Sequence, residues 1–380
     1  MSAAETVRLV GLALPPGAEF AAALDEAWAR GDAVLPLDPA APPDANARLR
    51  RDLTVGEAVA PGTGVVIATS GSTGEAKGVV LTRAALAASA RATHDRIGAE
   101  PGDRWLSCLP WHHIAGLQVL LRSRLLGLPM VVHERFDVER FAAADATLVS
   151  LVPTQLARLL DAGVDWSRFR VVLVGGAAAA PALIDRARAA GVPVVTTYGM
   201  SETCGGCVYD GRPLDGVEVD VDADGRIRLR GPMLASGYRG RPDLTAAAFS
   251  DGWFRTDDLG RIDDGRLEVL GRADDVVVTG GEKVAPGAVT AVLAGHPGIA
   301  DVAVAGVPDA EWGQRLVAVV VATAPLELAG IRDWCRDRLP KAAVPQGLVV
   351  VDAIPQLPSG KPDRLAIQQL AAGYLRPSAR

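Results

Sequence analysis

Val65-Val-Ile-Ala-Thr69-Ser70-Gly71-Ser72-Thr73-Gly74-Glu-Ala-Lys77-Gly78 is the stretch from which the fold can be read. An apolar run of β-forming residues delivers the chain into four hydroxyls and two glycines within six residues, and a lysine follows. Glycines let backbone N–H groups approach an anion closely, and Lys77 adds positive charge, so the segment reads as a phosphate cradle at the end of a strand. It is not a Walker A loop, because Gly78 follows Lys77 where that loop needs Ser or Thr, and the glycine spacing differs. Lysine is scarce here: of 39 basic residues only Lys77, Lys283, Lys341 and Lys361 are lysines. A net charge of −6 leaves no global positive field to track a nucleic-acid backbone, so no nucleic-acid partner is expected.

Outward from this loop, β-rich runs alternate with helix-length segments. Strands are expected at Ala33–Leu37, Gly64–Ala68, Trp105–Leu109, Met130–His133, Ala146–Leu151, Val171–Val174 and Val192–Thr197. Helices are expected at Glu19–Arg30, Thr82–Gly98 with Thr82 as N-cap, Ile114–Leu126, Thr154–Ala162 and Pro181–Ala190. Such βαβα order argues for an α/β fold with a largely parallel sheet covered by helices, where ligands sit beyond the carboxyl ends of strands. After Ser201 the pattern changes to short strands with Asp-Gly turns, as in Val217–Val221, Arg226–Leu229 and Arg266–Leu270, which predicts a β-rich subdomain. From about residue 274 a compact α+β pattern follows. The expected organisation is a large N-terminal domain over 1–273 and a small C-terminal domain over 274–380. No charge-free stretch approaches the ~20 apolar residues that span a bilayer, so no membrane association is expected. Arg8, a short apolar run and Glu19 make a poor secretory signal, and four cysteines in 380 residues suit a reducing compartment, so the cytoplasm is the expected location.

Four further motifs follow the phosphate loop in order: Tyr198-Gly199-Met-Ser201-Glu202-Thr, Trp253-Phe-Arg-Thr-Asp-Asp258-Leu, Gly271-Arg272-Ala-Asp274-Asp and Pro358-Ser-Gly-Lys361. Together with Thr69–Gly78 they resemble, one after another, the motifs of the adenylate-forming acyl-CoA synthetase superfamily. The resemblance spans residues 64–364 and departs at Asp257, where the family carries glycine. It implies an ATP-dependent acid–thiol ligase that makes an acyl-adenylate and then a thioester, using ATP, Mg²⁺ and coenzyme A. It also implies a small C-terminal domain that moves between the two steps, about a hinge at Asp274. Because Thr69 lies nearer the N-terminus than in most of the family, a trimmed N-terminal subdomain is expected, its missing part absent or supplied by a partner subunit.

The chemistry indicates what each residue must do. In-line attack of a carboxylate on the α-phosphorus of ATP builds charge that donors and cations must absorb. Glu202 is a hard oxygen ligand suited to Mg²⁺, and Ser201 can hydrogen-bond the α-phosphate. Tyr198 offers a face to adenine, with Gly175-Gly176-Ala177 after Val171–Val174 permitting close approach to the base. Asp258 can accept from both ribose hydroxyls, and Arg272 can donate to the same sugar. The resemblance assigns Lys361 to bridging the substrate carboxylate and the α-phosphate, places His113 at the acyl pocket with Gly199, and sets Gly280 and Gly281 beside the pantetheine path.

Leu109-Pro-Trp-His-His113-Ile-Ala-Gly116 and the apolar helix after it carry the acid specificity. Arg122 lies nine residues beyond His113 in that helix, where a guanidinium is costly unless paired. A substrate with a second carboxylate would pair it. Adjacent histidines do not readily share a metal ion in regular structure, and Cys204-Gly-Gly-Cys207 lacks the second pair a zinc site needs, so pocket-lining thiols are the expected reading. Loading of a carrier protein, another aryl or short-chain acid, and a non-catalytic adenylate sensor are alternatives that the sequence leaves open, and homodimer formation is allowed.

Overall fold

The computed structural model describes residues 7–70, 76–356 and 362–374. Contacts group the chain into two units, one of 1–176, 187–220 and 228–256, the other of 177–186, 221–227 and 257–380.

The first unit holds two sheets. In one, β1 (Leu9–Leu12), β2 (Ala33–Pro36) and β3 (Thr63–Ser70) run parallel, β3 turns back onto β4 (Ala76–Thr82), and the two-residue strand Gly237–Tyr238 closes the edge. The other has the order β11-β10-β9-β8-β7-β5-β6, built from β5 (Trp105–Ser107), β6 (Met130–Val132), β7 (Leu148–Leu151), β8 (Val171–Val174), β9 (Val194–Met200), β10 (Gly205–Tyr209) and β11 (Arg212–Pro213). Strands β5 to β9 are parallel, and every residue of β7 and β8 is buried. That continuous apolar run is what a parallel strand covered on both faces requires. The large domain of helix-covered sheets is thus as expected, with the largely parallel arrangement in β5 to β9, and β3 and β4 on either side of the phosphate loop pair as an antiparallel hairpin. Gly78 obscures β4 in the sequence; a Cβ there would lie 2.7 Å from the Leu53 side chain and 3.0 Å from that of Val66, so close packing favours glycine inside this strand.

The helix Arg83–Ile97 starts where expected, with the Thr82 hydroxyl accepting from Ala85 N–H at 3.0 Å, and stops at Gly98 in the left-handed conformation. It packs beside Ile114–Leu126 over a core of Phe20, Leu24, Ile67, Leu81, Leu86 and Trp111, each worth roughly 1.5–3 kcal/mol on burial.

The chain passes into the second unit for the last time within the strand Trp253–Asp263, which pairs antiparallel with Arg266–Arg272. Beyond it, Ile299–Asp309 and Gly313–Ala322 form a long hairpin, with Gly347–Val350 parallel on the latter. Alternate residues of Gly313–Ala322 serve two cores. Leu316, Ala318 and Val320 face the helices Pro286–Leu293 and Leu328–Arg336, while Val317 and Val319 face the final helix Arg364–Tyr374 through Ile367 and Ala371. This is the expected α+β pattern.

Candidate functional site

Three segments distant in sequence meet at Tyr238. Its hydroxyl donates to Glu202 Oε1 at 2.8 Å, and Lys77 Nζ stands 5.6 Å from its ring centroid. The cause is strand pairing: Thr69 lies opposite Lys77 in the β3–β4 hairpin, and Tyr238 lies opposite Val79 on the other side of β4. Glu202 sits in the short 3₁₀ turn Ser201–Thr203 directly after β9. Thr203 fixes that turn, its hydroxyl accepting from Met200 N–H at 2.9 Å and lying 2.7 Å from the Gly205 carbonyl. The Glu202 carbonyl in turn accepts from Ala235 N–H at 2.8 Å, on the segment leading to Tyr238. Sequence reading missed Tyr238; the available signal was Gly237-Tyr-Arg-Gly240, an aromatic among glycines between two recognised motifs.

On the β8 and β9 side, Gly175 is required by a close approach: an added Cβ would lie 2.1 Å from Thr197 Oγ1. Gly199 is required likewise, since its Cβ would meet the Gly205 carbonyl oxygen at 2.0 Å across the β9–β10 hairpin. Gly175, Gly176, Tyr198, Gly199, Ser201 and Glu202 therefore cluster at the carboxyl ends of two neighbouring parallel strands, the usual ligand crevice of such sheets. Ala177 follows Gly176 in the segment grouped with the second unit. Gly71, Ser72, Thr73, Gly74 and Lys361 lie outside the described residues.

In the second unit Asp258 and Arg272 face each other in register, 3.8 Å apart. Arg272 also grips Asp274 with two bonds of 3.0 and 3.1 Å, which outweigh burial and hold the Asp274 carboxyl below its ordinary pKa. Asp257, the departure from the family pattern, pairs with Arg226 at 2.7 Å inside the strand and has no positive φ, so no glycine is needed there. Gly280 and Gly281 turn between Val277–Thr279 and Glu282–Val284 with φ of 58° and 84°. A Cβ on Gly280 would lie 3.0 Å from the Trp312 ring.

His113 is exposed and precedes the first residue of the helix Ile114–Leu126; its ring lies 4.4 Å from that of His112. Arg122 is only 4% exposed. Its guanidinium lies 5.7 Å from the Trp105 ring centroid and 3.5 Å from the Tyr209 hydroxyl, with Nε unpartnered and no carboxylate at ion-pair distance among the described residues. Burial, and then the Arg122 charge, push neighbouring His94 down to about 4, so the helix facing Arg122 offers it a neutral ring rather than a second cation near pH 7. Cys204 and Cys207 are fully buried free thiols; burial pushes Cys207 up to about 12 and Cys204 further, which makes them inert packing groups.

Among the described residues no three His, Cys, Asp or Glu side chains form a metal cage. A single carboxylate at Glu202, which shares Tyr238 with Lys77, fits Mg²⁺, which prefers one or two protein carboxylates with phosphate and water oxygens completing its shell. No helix among the described residues is long and apolar enough to cross a membrane.

Known proteins resemble this chain in sequence and in fold. The AMP-binding enzyme family matches residues 56–239, and the AMP-binding enzyme C-terminal domain matches 288–361. A Mycobacterium tuberculosis protein named "Probable 2-succinylbenzoate--CoA ligase" is 45% identical over 358 residues, 88% of this chain and 92% of the relative. The Bacillus licheniformis 2-succinylbenzoate–CoA ligase is 36% identical over 324 residues, covering 78% and 68%. The o-succinylbenzoate coenzyme A synthetase of Bacillus subtilis superposes with a TM-score of 0.84 in its complex with the acyl-adenylate intermediate, at 29% identity over 95% of this chain and 88% of that one. Its complex with ATP and magnesium ion gives 0.82, at 28% identity over 96% and 89%.

Proposed function

The chain belongs to the AMP-binding enzyme family, and from that premise we propose that it is an ATP-dependent 2-succinylbenzoate–CoA ligase. The substrate's succinyl carboxylate attacks the α-phosphorus of ATP, forming the acyl-adenylate and releasing pyrophosphate. The thiol of coenzyme A then attacks the acyl carbon and releases AMP. The product thioester serves menaquinone (vitamin K2) biosynthesis in the cytoplasm.

The proposed roles rest on the family resemblance and on the chemistry of each side chain. Lys77 and the backbone of Thr69 to Gly74 hold phosphate oxygens, with Ser201 donating to the α-phosphate. Glu202 would hold Mg²⁺, which would supply neutralising charge for the phosphates, and Tyr238 aims the Glu202 carboxylate by its 2.8 Å bond. Tyr198 carries adenine against the glycine turn Gly175–Gly176 and Ala177, and Asp258 with Arg272 takes the ribose. Lys361 bridges carboxylate and α-phosphate, His113 and Gly199 border the acyl group, Asp274 is the hinge, and Gly280 and Gly281 flank pantetheine. The boundary between the large and small domains is placed at residue 273.

The single observation that carries the choice of acid is Arg122, a buried guanidinium with no carboxylate partner among the described residues. Isolated burial of such a charge is unfavourable, and the aromatic carboxylate of 2-succinylbenzoate would pair it. Replacing Arg122 by alanine is expected to raise the KM for 2-succinylbenzoate about tenfold to a hundredfold, the loss of a charge-assisted hydrogen bond, with a smaller change in kcat. An unchanged KM would remove Arg122 from the pocket.

The activity is tested by ATP–pyrophosphate exchange over a panel of carboxylic acids, followed by detection of the CoA thioester with the best of them. Exchange with another acid and none with 2-succinylbenzoate overturns the assignment. Transfer to a carrier-protein phosphopantetheine in place of free coenzyme A would overturn the thiol acceptor. A homodimer is part of the same proposal; sedimentation of the purified chain at monomer mass would dismiss it.

A further inference from the structure

The terminal helix Arg364–Tyr374 begins three residues after Lys361, and the structure fixes how that helix is moored. Its first residue extends a line of alternating charges. Asp258 faces Arg272, Arg272 grips Asp274, and Arg364 contacts both acids of the Ala273–Asp275 turn, at 2.7 Å from Asp275 Oδ2 and 3.9 Å from Asp274 Oδ1. The backbone on either side of 357–361 is held to one place in the same unit. Gln356 and Pro362 form an antiparallel bridge, Asp363 N–H donates to the Pro355 carbonyl at 2.8 Å, and the Asp363 carboxylate caps the helix by accepting from Ala366 N–H at 3.1 Å. The last covalent links before the final helix thus lead from Lys361 through Pro362 and Asp363 to the Arg364 clamp.

Resting on the ligase reading, we propose that Arg364 is a positioning residue for adenylation: by clasping Asp274 and Asp275 it fastens the start of the final helix, three residues beyond Lys361 in the chain, to the turn that carries the hinge and, through Arg272, to the ribose pair. Electrostatics support a clasp rather than a chance surface contact. Asp275 is partly buried beside two other carboxylates, Asp274 and Asp258, and the cations Arg272 and Arg364 offset the repulsion among the three. Without Arg364 these acids lose one of those two cations. Arg364 is 55% exposed, and an ion pair so placed contributes little by itself, which sets the modest size of the expected effect.

The test separates the two half-reactions in Arg364→Gln and Arg364→Lys variants of the full chain. Arg364→Gln should slow ATP–pyrophosphate exchange with 2-succinylbenzoate about fivefold and leave thioester formation from supplied acyl-adenylate unchanged, with Arg364→Lys in between. Adding salt to 1 M, where the screening length falls to about 3 Å, should bring the parent chain toward the variant. An unchanged ratio of the two half-reactions, or an equal fall in both, overturns the proposal. Hydrogen exchange reads the clasp without reference to activity: Arg364→Gln should speed exchange of backbone amides over 273–275 and 363–367 severalfold. Unaltered exchange there overturns the clasp even if the ligase assignment stands. Altered exchange in a chain that activates no 2-succinylbenzoate leaves the clasp in place and overturns the substrate reading and the adenylation role together.

Discussion

Replacing Lys361 by alanine is expected to lower ATP–pyrophosphate exchange by about 10²–10³-fold or more while leaving thioester formation from supplied acyl-adenylate largely intact. The asymmetry follows from where charge develops. In the first half-reaction a carboxylate anion approaches a polyanionic phosphate, and both carry negative charge into the transition state. A preorganised ammonium between them is favourable only at that moment, so its loss appears in the rate and less in nucleotide affinity. In the second half-reaction a thiol attacks an acyl carbon whose leaving group is AMP, and the family resemblance has the lysine withdrawn by then. Separate assays of exchange and of CoA consumption with synthetic acyl-adenylate check this. Equal loss in both would mean that one arrangement of the small domain serves both steps, and the expectation that the small domain moves between them would fail.

Replacing Glu202 by glutamine is expected to reduce exchange about 10²-fold and to raise the Mg²⁺ concentration needed for half-maximal rate. Glutamine keeps the shape and can still accept from the Tyr238 hydroxyl, so the 3₁₀ turn should survive; circular dichroism and thermal unfolding close to those of the parent would verify that. What disappears is the negative charge, the property a hard divalent cation requires. A Tyr238→Phe change provides the control, since it leaves the charge and removes only the bond that aims it. Its effect should be the smaller of the two, and the reverse order would show that orientation outweighs charge at this position.

Several elements of the fold are legible in the sequence because their signals are local. The helix Arg83–Ile97 is bracketed by a Thr82 cap and by Gly98 in the left-handed conformation. Ile114–Leu126 likewise ends at Gly127 with φ of 63°. Elements whose cause is not local escape such a reading. The helix Pro43–Asp52 buries none of its residues, so no apolar stripe marks it. The strand Ala76–Thr82 is obscured by Gly78, whose presence reflects neighbours in other segments rather than a turn.

The candidate site divides in the same way. Residue types and their order pointed to the chemistry: a hydroxyl- and glycine-rich anion loop, the acid Glu202, the pair Asp258 and Arg272, and a scarce lysine at 361 are the groups that the proposed adenylation would use. Only the tertiary structure decided which of them share a place. Lys77, Tyr238 and Glu202 meet because β4 pairs with both β3 and Gly237–Tyr238, a register that no local spacing encodes. Arg122 became a buried charge beside Trp105 and Tyr209, rather than a solvated one, because the parallel sheet and two packed helices close over it. Chemistry is carried by single side chains and survives in a linear reading; burial and convergence are properties of pairs distant in sequence, and those exist only once the sheets have formed.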